Sequence, residues 1–232
     1  MSSPEIAPEI AQVATPSARW KPMVLRIIIT IVALAVWFWT QALLGARPGG
    51  SETIGDGLHR LTAPLHDYLA GSLRAANALL IVSSLGIDAL GIFLLGSWVF
   101  AGKLRPFVGL AMLLILRQIM QALCALPPPP GMIWHYPGFP SLLVTYGVAN
   151  DFFFSGHTAI AAFAATELAR LHKNWLTALA IFLVLFETTA VIVLRAHYTM
   201  DIFTGLLAAS CVAAISEPVC QRLRSIPNPM KT

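Results

Sequence analysis

Six stretches of this chain run for about twenty residues or more with very little charge, and that pattern leaves few folds open. They cover roughly Met23 to Ala46, Ala75 to Phe100, Pro106 to Leu126, Phe152 to Leu171, Trp175 to Leu194, and Tyr198 to just before Arg222. A helix needs ~20 apolar residues to cross the ~30 Å hydrocarbon core of a bilayer, and a helix satisfies its own backbone polar groups there. With 57% hydrophobic and 11% charged residues the balance exceeds what a soluble core of this size needs. The expected fold is therefore all-α: a polytopic membrane helix bundle of six transmembrane helices. Residues 1–20 form an expected disordered tail, 21–221 a single six-helix domain, and 222–232 a basic tail. The first of these is rich in Pro, Ser, Ala and Glu and lacks the basic-then-apolar order of a cleavable signal.

The connecting segments give a provisional orientation. Arg19 and Lys21 precede the first helix, and Arg26 can snorkel back to the interface. Between Ser51 and Arg74, Ile54, Leu58, Leu61, Leu65, Leu69 and Leu73 recur at helical spacing among His59, Arg60, His66 and Asp67, which predicts an interfacial helical segment broken at Pro64. The loop from Gly131 to Asn150, after the stop at Pro127 to Pro130, has no Lys or Arg, and its Trp134, Tyr136 and Tyr146 suit a membrane interface. Basic turns at Lys103/Arg105 and Arg170/Lys173 fall on one side with the tails, so both termini are placed in the cytoplasm, although Arg47, Arg60 and Arg74 run against the count. The net charge of +4 sits in loops and tails and forms no nucleic-acid patch. Cys124, Cys211 and Cys220 have neither zinc nor disulfide-framework spacing and read as buried free thiols. No internal repeat points to an inverted-repeat transporter.

Two short segments carry the chemistry: Asp151-Phe-Phe-Phe-Ser155-Gly156-His157-Thr158 and Arg195-Ala-His197-Tyr198-Thr199-Met200-Asp201. On a helix, His197 and Asp201 share a face, so the carboxylate can fix the imidazole tautomer and leave the other nitrogen free as nucleophile or base. His157 follows Ser155-Gly156 at a helix start, where free N–H groups and the helix dipole favour an anion such as phosphate. Together they point to phosphoryl chemistry on a lipid. Ser155 and Thr158 can donate to phosphate or simply cap the helix. Asp151 can orient His157, hold a cationic headgroup, or serve only as an acidic residue at a helix N-terminus. Arg195 can bind phosphoryl oxygens or anchor at the interface. Arg117 lies ~15 Å down its helix and needs a partner. Asp88, Glu187 and Glu167 are the candidates; Glu167 is expected to pair locally with Arg170, and Asp88 and Glu187 to face the active cavity or form a structural network. Tyr198 reads as an interface aromatic.

These residues resemble the sphingomyelin synthase-like branch of the type 2 phosphatidic acid phosphatase (PAP2) superfamily. The resemblance runs from Arg117 through Leu126-Pro127-Pro128-Pro129-Pro130-Gly131-Met132 and Asp151 to Ser155-Gly156-His157-Thr158 and His197-Tyr198-Thr199-Met200-Asp201. The lysine-containing first motif of the superfamily's phosphatases is absent, since Lys103 and Arg105-Pro106 stand too close together, and this departure favours the synthase-like branch. The resemblance implies a PAP2-like core, with His197 attacking the headgroup phosphorus to form a phosphohistidine. His157 then serves as acid to the departing diacylglycerol and base to the incoming hydroxyl.

Three functions follow in order of preference. The first is a transferase moving a phospho-alcohol headgroup from a phospholipid donor to a lipid-hydroxyl acceptor within the bilayer. The second is a phospholipase C-like or phosphatase hydrolase using water, and the third a non-catalytic lipid transporter or binding protein. The transferase needs no metal or other cofactor, because two histidines and the arginines cover acid, base and charge stabilisation. The headgroup, the acceptor and any homo-oligomer are left open.

Overall fold

The computed structural model describes residues 16–46, 54–147 and 152–225. Among them the chain forms helices only: α1 (Pro16–Gly45), α2 (Gly57–Leu61), α3 (Ala63–Ala70), α4 (Leu73–Val99), α5 (Leu104–Leu123), α6 (Gly156–Ala169), α7 (Asn174–Val193) and α8 (Thr199–Ser225). Five of them, α1, α4, α5, α7 and α8, are long and apolar enough to cross a membrane, so the chain is a multi-pass membrane protein. The expected N-terminal tail lies largely outside the described residues, as does the tail beyond Ser225.

Caps explain where the boundaries differ from expectation. The fourth apolar stretch becomes helical only at Gly156, because Ser155 caps α6, its hydroxyl accepting from the Thr158 amide at 3.3 Å. At 14 residues α6 rises only ~21 Å, short of the ~30 Å core. Upstream, Ser72 caps α4, which starts at Leu73, two residues before the expected Ala75, and α5 ends at Leu123, clear of the proline run. The interfacial segment divides at Thr62 into α2 and α3, and Pro64 is accommodated in the first turn of α3 rather than breaking a helix. At the far end α8 continues past the expected limit, through Arg222 and Arg224 to Ser225, where basic side chains suit the negative end of the dipole.

Packing centres on α6, which is enclosed by α4, α5, α7 and α8, while α1 lies outside against α4 and α5. Phe163 of α6 is fully buried. It lies against Gly109 of α5, where a Cβ would collide with its ring, so a small residue is needed for the two helices to approach this closely. Likewise, a Cβ on Gly205 of α8 would come within 2.9 Å of the Ser155 carbonyl. That close approach sets the start of α8 beside the start of α6.

The other ends of these helices carry an ion network. Arg105 pairs with Glu167, donates to the Ala213 carbonyl at 2.7 Å and approaches Glu217 at 3.5 Å; Arg170 reaches Glu217 at 3.3 Å. The expected local Glu167–Arg170 pair is thus replaced: Glu167 is buried against α5, whereas Arg170 sits exposed at the helix end and turns to α8. Asp88 does not face the cavity either, because three donors of the loop between α5 and α6 claim it: Ser141 Oγ at 2.9 Å and the amides of Leu142 and Leu143 at 2.8 and 2.9 Å. Glu187 is fully buried between α7 and α4, where it accepts from Ser83 Oγ at 2.6 Å and so ties α7 to α4; it is not among the residues lining the histidine cavity. Of the three thiols only Cys220 is buried; Cys124 is partly buried and Cys211 exposed, and all are free.

Candidate active site

Both histidine motifs reach one small cavity of about 40 Å³ at the α6–α8 start. His157, His197, Arg117 and Gly156 form its polar side, and Trp37, Ile87, Trp134 and Phe152 are among its apolar walls.

His197 arrives there from the tight turn between α7 and α8. Arg195 holds a left-handed backbone (φ 51°) to make that turn. His197 Nδ1 lies 2.8 Å from the Phe152 carbonyl, which can only accept, so the proton is on Nδ1 and the Nε2 lone pair is free. This corrects the role expected of Asp201. Its Oδ2 stands 3.6 Å from Nδ1, too far for a hydrogen bond, and instead accepts from the Tyr198 amide at 2.8 Å. Asp201 is the third residue of α8 and reaches back to cap it. Its buried charge nonetheless stays beside the imidazole.

The turn is held from outside by α2 and α3. His59 Nε2 donates to the His197 carbonyl at 2.9 Å and His66 Nδ1 to the Val193 carbonyl at 2.9 Å, each tautomer being set by its carbonyl partner. Asp56 caps α2 through the amides of Leu58 and His59, and also takes Thr199 N at 2.6 Å and Thr199 Oγ1 at 2.7 Å. Burial alone would raise the Asp56 pKa, but the hydrogen bonds from Thr199 and His59 outweigh it and hold the carboxyl below its ordinary value. Tyr198, far from being an interface aromatic, is buried against His59, with its hydroxyl 3.4 Å from the Pro128 carbonyl.

His157 is the second residue of α6 and is 8% exposed. Its Nε2 has no hydrogen-bond partner among the described residues, and the Trp134 indole stands edge-on to its ring at 5.2 Å. Trp134 is itself fixed by a 2.9 Å bond from Nε1 to the Thr145 carbonyl and by its contact with Tyr146. Ser155 is fully buried beneath the cavity, its hydroxyl engaged with Thr158, so capping accounts for it. Its amide donates to the Asp201 carbonyl at 3.1 Å, a direct backbone tie between the two motifs.

Arg117 reaches the cavity from α5. Its Nε donates to the Phe154 carbonyl at 3.0 Å and Nη1 to Gln41 Oε1 of α1 at 3.3 Å, while the guanidinium lies over Gly156. The three carboxylates considered as its partners are all engaged elsewhere. Arg195 is not among the cavity residues; its Nη1 donates to the Pro130 carbonyl at 3.0 Å and staples the proline loop to the α7–α8 turn. Asp151 lies outside the described residues.

Four residues around the site were not singled out from the sequence as part of it: Trp37, Gln41, Asp56 and His59. Only Gln41 carried a signal, as an uncharged polar residue near the end of an apolar run. Chemically, the cavity offers an unprotonated imidazole nitrogen, a second imidazole and a fixed guanidinium, a set able to act on a phosphoryl group.

The model of the family described as AtPDCT1/2 matches residues 56–218. That stretch begins at the Asp56 cap, extends well into α8 and holds every cavity-lining residue except Trp37. None of the curated proteins matches the chain.

Proposed function

The chain belongs to the AtPDCT1/2 family, and on that premise we propose that it is an integral-membrane lipid headgroup phosphotransferase. The family's name is that of phosphatidylcholine:diacylglycerol cholinephosphotransferases, which makes phosphocholine the leading headgroup and a diacylglycerol hydroxyl the leading acceptor. The observation that carries this reading is the meeting of two imidazoles in one cavity with the Nδ1 proton of His197 engaged, so that Nε2 is the free nitrogen.

In the first step Nε2 of His197 attacks the headgroup phosphorus, the phosphorus–oxygen bond to the donor glycerol breaks, and protonated His157 gives its proton to the departing alkoxide. The phosphoimidazole carries positive charge next to the Phe152 carbonyl and the Asp201 carboxylate, both of which favour it. Arg117 offsets charge on the phosphoryl oxygens. In the second step His157 accepts the proton of the incoming hydroxyl, its oxygen bonds to phosphorus, and the phosphorus–nitrogen bond breaks. The resemblance to the sphingomyelin synthase-like PAP2 branch supports the same assignment. In this reading α6, together with the Phe152–Ser155 stretch before it, completes a sixth crossing, both termini are cytoplasmic, and the cavity lies toward the other face.

The test uses purified protein in mixed vesicles with headgroup-labelled phosphatidylcholine or phosphatidylethanolamine, with and without diacylglycerol or ceramide, and His197→Ala as blank. Label on a second lipid is the expected result and names donor and acceptor. Label only on a water-soluble product would make the protein a hydrolase, and no release from either donor would overturn the enzymatic reading.

A further inference from the structure

A second hollow, of about 430 Å³, lies between α1 and α5. That is within the ~300–1,000 Å³ of ligand pockets. Ala33 and Leu34 of α1 face Leu110 and Ala111 of α5 across it, and among the described residues no charged side chain lines it. It shares Trp37 and Leu114 with the histidine cavity, so these two side chains mark where the hollows meet. Around that junction the polar atoms are unusually placed. Trp37 Nε1, Gln41 Nε2 and Gln118 Oε1 are buried without hydrogen-bond partners among the described residues, and the Trp37 and Gln41 side chains are 8% and 2% exposed. Two donors and one acceptor with nothing to bond carry a desolvation cost that a bare hydrocarbon occupant would leave in place. A diacylglycerol would not, since it brings two ester carbonyls that accept and one hydroxyl that donates. It also lacks a charged headgroup, so it can enter sideways at hydrocarbon depth into a groove without charges.

We infer that the α1–α5 groove is the subsite for the acceptor lipid, an uncharged diacylglycerol. One acyl chain lies along Ala33, Leu34, Leu110 and Ala111, and the glycerol end passes Trp37 and Leu114 to bring its hydroxyl toward His157. The inference rests on the transferase reading for its chemistry, but the groove itself does not. Six of its fourteen lining residues come from α1, which lies outside residues 56–218, so the acceptor site includes a helix beyond the family match.

Two measurements test it. In vesicles, wild-type protein is irradiated with a diacylglycerol carrying a diazirine in one acyl chain, and the adducts are mapped by mass spectrometry. Adducts concentrated on Leu34, Ala111 and Ile115 and suppressed by excess unlabelled diacylglycerol are expected. Adducts spread evenly over other bilayer-facing residues such as Ile92, Ile181 and Phe182, or insensitive to competitor, would overturn the groove. The second measurement fills the groove with Ala33→Trp and with Ala111→Trp and compares the two half-reactions. KM for diacylglycerol should rise at least tenfold, about the loss expected when two acyl methylenes forfeit their burial. Labelling of His197 from headgroup-labelled donor alone should stay within twofold of wild type. An unchanged acceptor KM, or loss of donor labelling to the same extent, would refute the assignment. Competed adducts in the groove of a wild-type protein that transfers no headgroup would instead sink the transferase reading and leave the binding site standing.

Discussion

Asp56 offers the sharpest test of how the site is held, because one carboxylate caps two helices. Oδ1 accepts from Leu58 N at 2.8 Å, His59 N at 3.2 Å and Thr199 Oγ1 at 2.7 Å, while Oδ2 accepts from Thr199 N at 2.6 Å. Replacing an N-cap by Ala costs ~1 kcal/mol, up to ~2, so Asp56→Ala, which uncaps both α2 and α8, should cost about 2–3 kcal/mol. Asn should behave differently. Its amide oxygen can replace Oδ1 and keep the α2 cap, but its NH₂ then opposes the Thr199 amide and leaves that donor unpaired, a loss of roughly 1–2 kcal/mol. With ~2–4 °C per kcal/mol for a chain of this size, Asp56→Asn should melt about 2–8 °C low and Asp56→Ala lower still. The assay is thermal unfolding of detergent-purified protein followed by tryptophan fluorescence, run beside turnover. Turnover should fall in the same order, since α2 carries the His59 that holds the His197 carbonyl. The pH dependence has a definite sign. The folded pKa of Asp56 is depressed, so its contribution is present above the unfolded value of ~3.9 and lost as pH falls through the lower folded value. The gap between wild type and Asp56→Asn should therefore be constant from about pH 5 to 8 and close only in stronger acid. Melting temperatures within 1 °C of wild type for both variants, or an Asn variant as damaged as the Ala variant, would refute the double-cap argument.

Further outcomes can be checked. His197→Ala should abolish label loading, and His157→Ala should lower turnover by ~10²–10⁴-fold while retaining donor binding in a vesicle-retention assay. Because Phe152 rather than Asp201 holds the His197 tautomer, Asp201→Asn should cost less than the ~10⁴-fold seen where the carboxylate sets it; a loss of that size in kcat would restore the direct pairing. Glu167→Gln leaves Arg105 buried without its main counter-charge, so thermal unfolding should report a loss of about 3 kcal/mol, with KM for the donor unchanged because the pair lies at the far end of α6. A cysteine at Gly138 should react with an impermeant thiol reagent from outside intact cells; reaction only after lysis would invert the proposed orientation.

The membrane helices were legible because hydrophobic length is a local property: the second, third, fifth and sixth predicted helices lie within a few residues of their observed places, whereas α1 starts at Pro16, seven residues before the expected Met23 and within the expected tail. The histidines were legible because each sits in a compact motif of its own. What holds them was not. Spacing alone paired His197 with Asp201, yet α8 begins at Thr199, so His197 precedes the helix on which that pairing depended. The backbone carbonyl of Phe152, 45 residues away, won the imidazole instead. Asp56 meets Thr199 across 143 residues, a contact that no local pattern announces.

The carboxylate of Asp88 shows why polar residues on a membrane helix need not be catalytic. His157 stands twelve residues before Ala169, a rise of ~18 Å, so in the proposed orientation, with that end of α6 at the membrane surface, a cavity at its level lies inside the ~30 Å hydrocarbon core. The roof of such a cavity must be irregular chain at membrane depth, which is tolerated only where its polar groups find partners within the protein. Those partners come from one face of α4: Asn77 bonds His135 at 2.7 Å, Ser84 bonds Tyr146, and Asp88 takes Ser141 and the amides of Leu142 and Leu143. Spaced seven and four residues apart, the three side chains form a ladder that pins the loop over His157 and places Trp134 against its ring. On the proposed reading, in which a membrane-dissolved hydroxyl reaches the histidines, the α4 ladder keeps the loop over His157, and Asp88 acts by holding that loop rather than by entering the cavity.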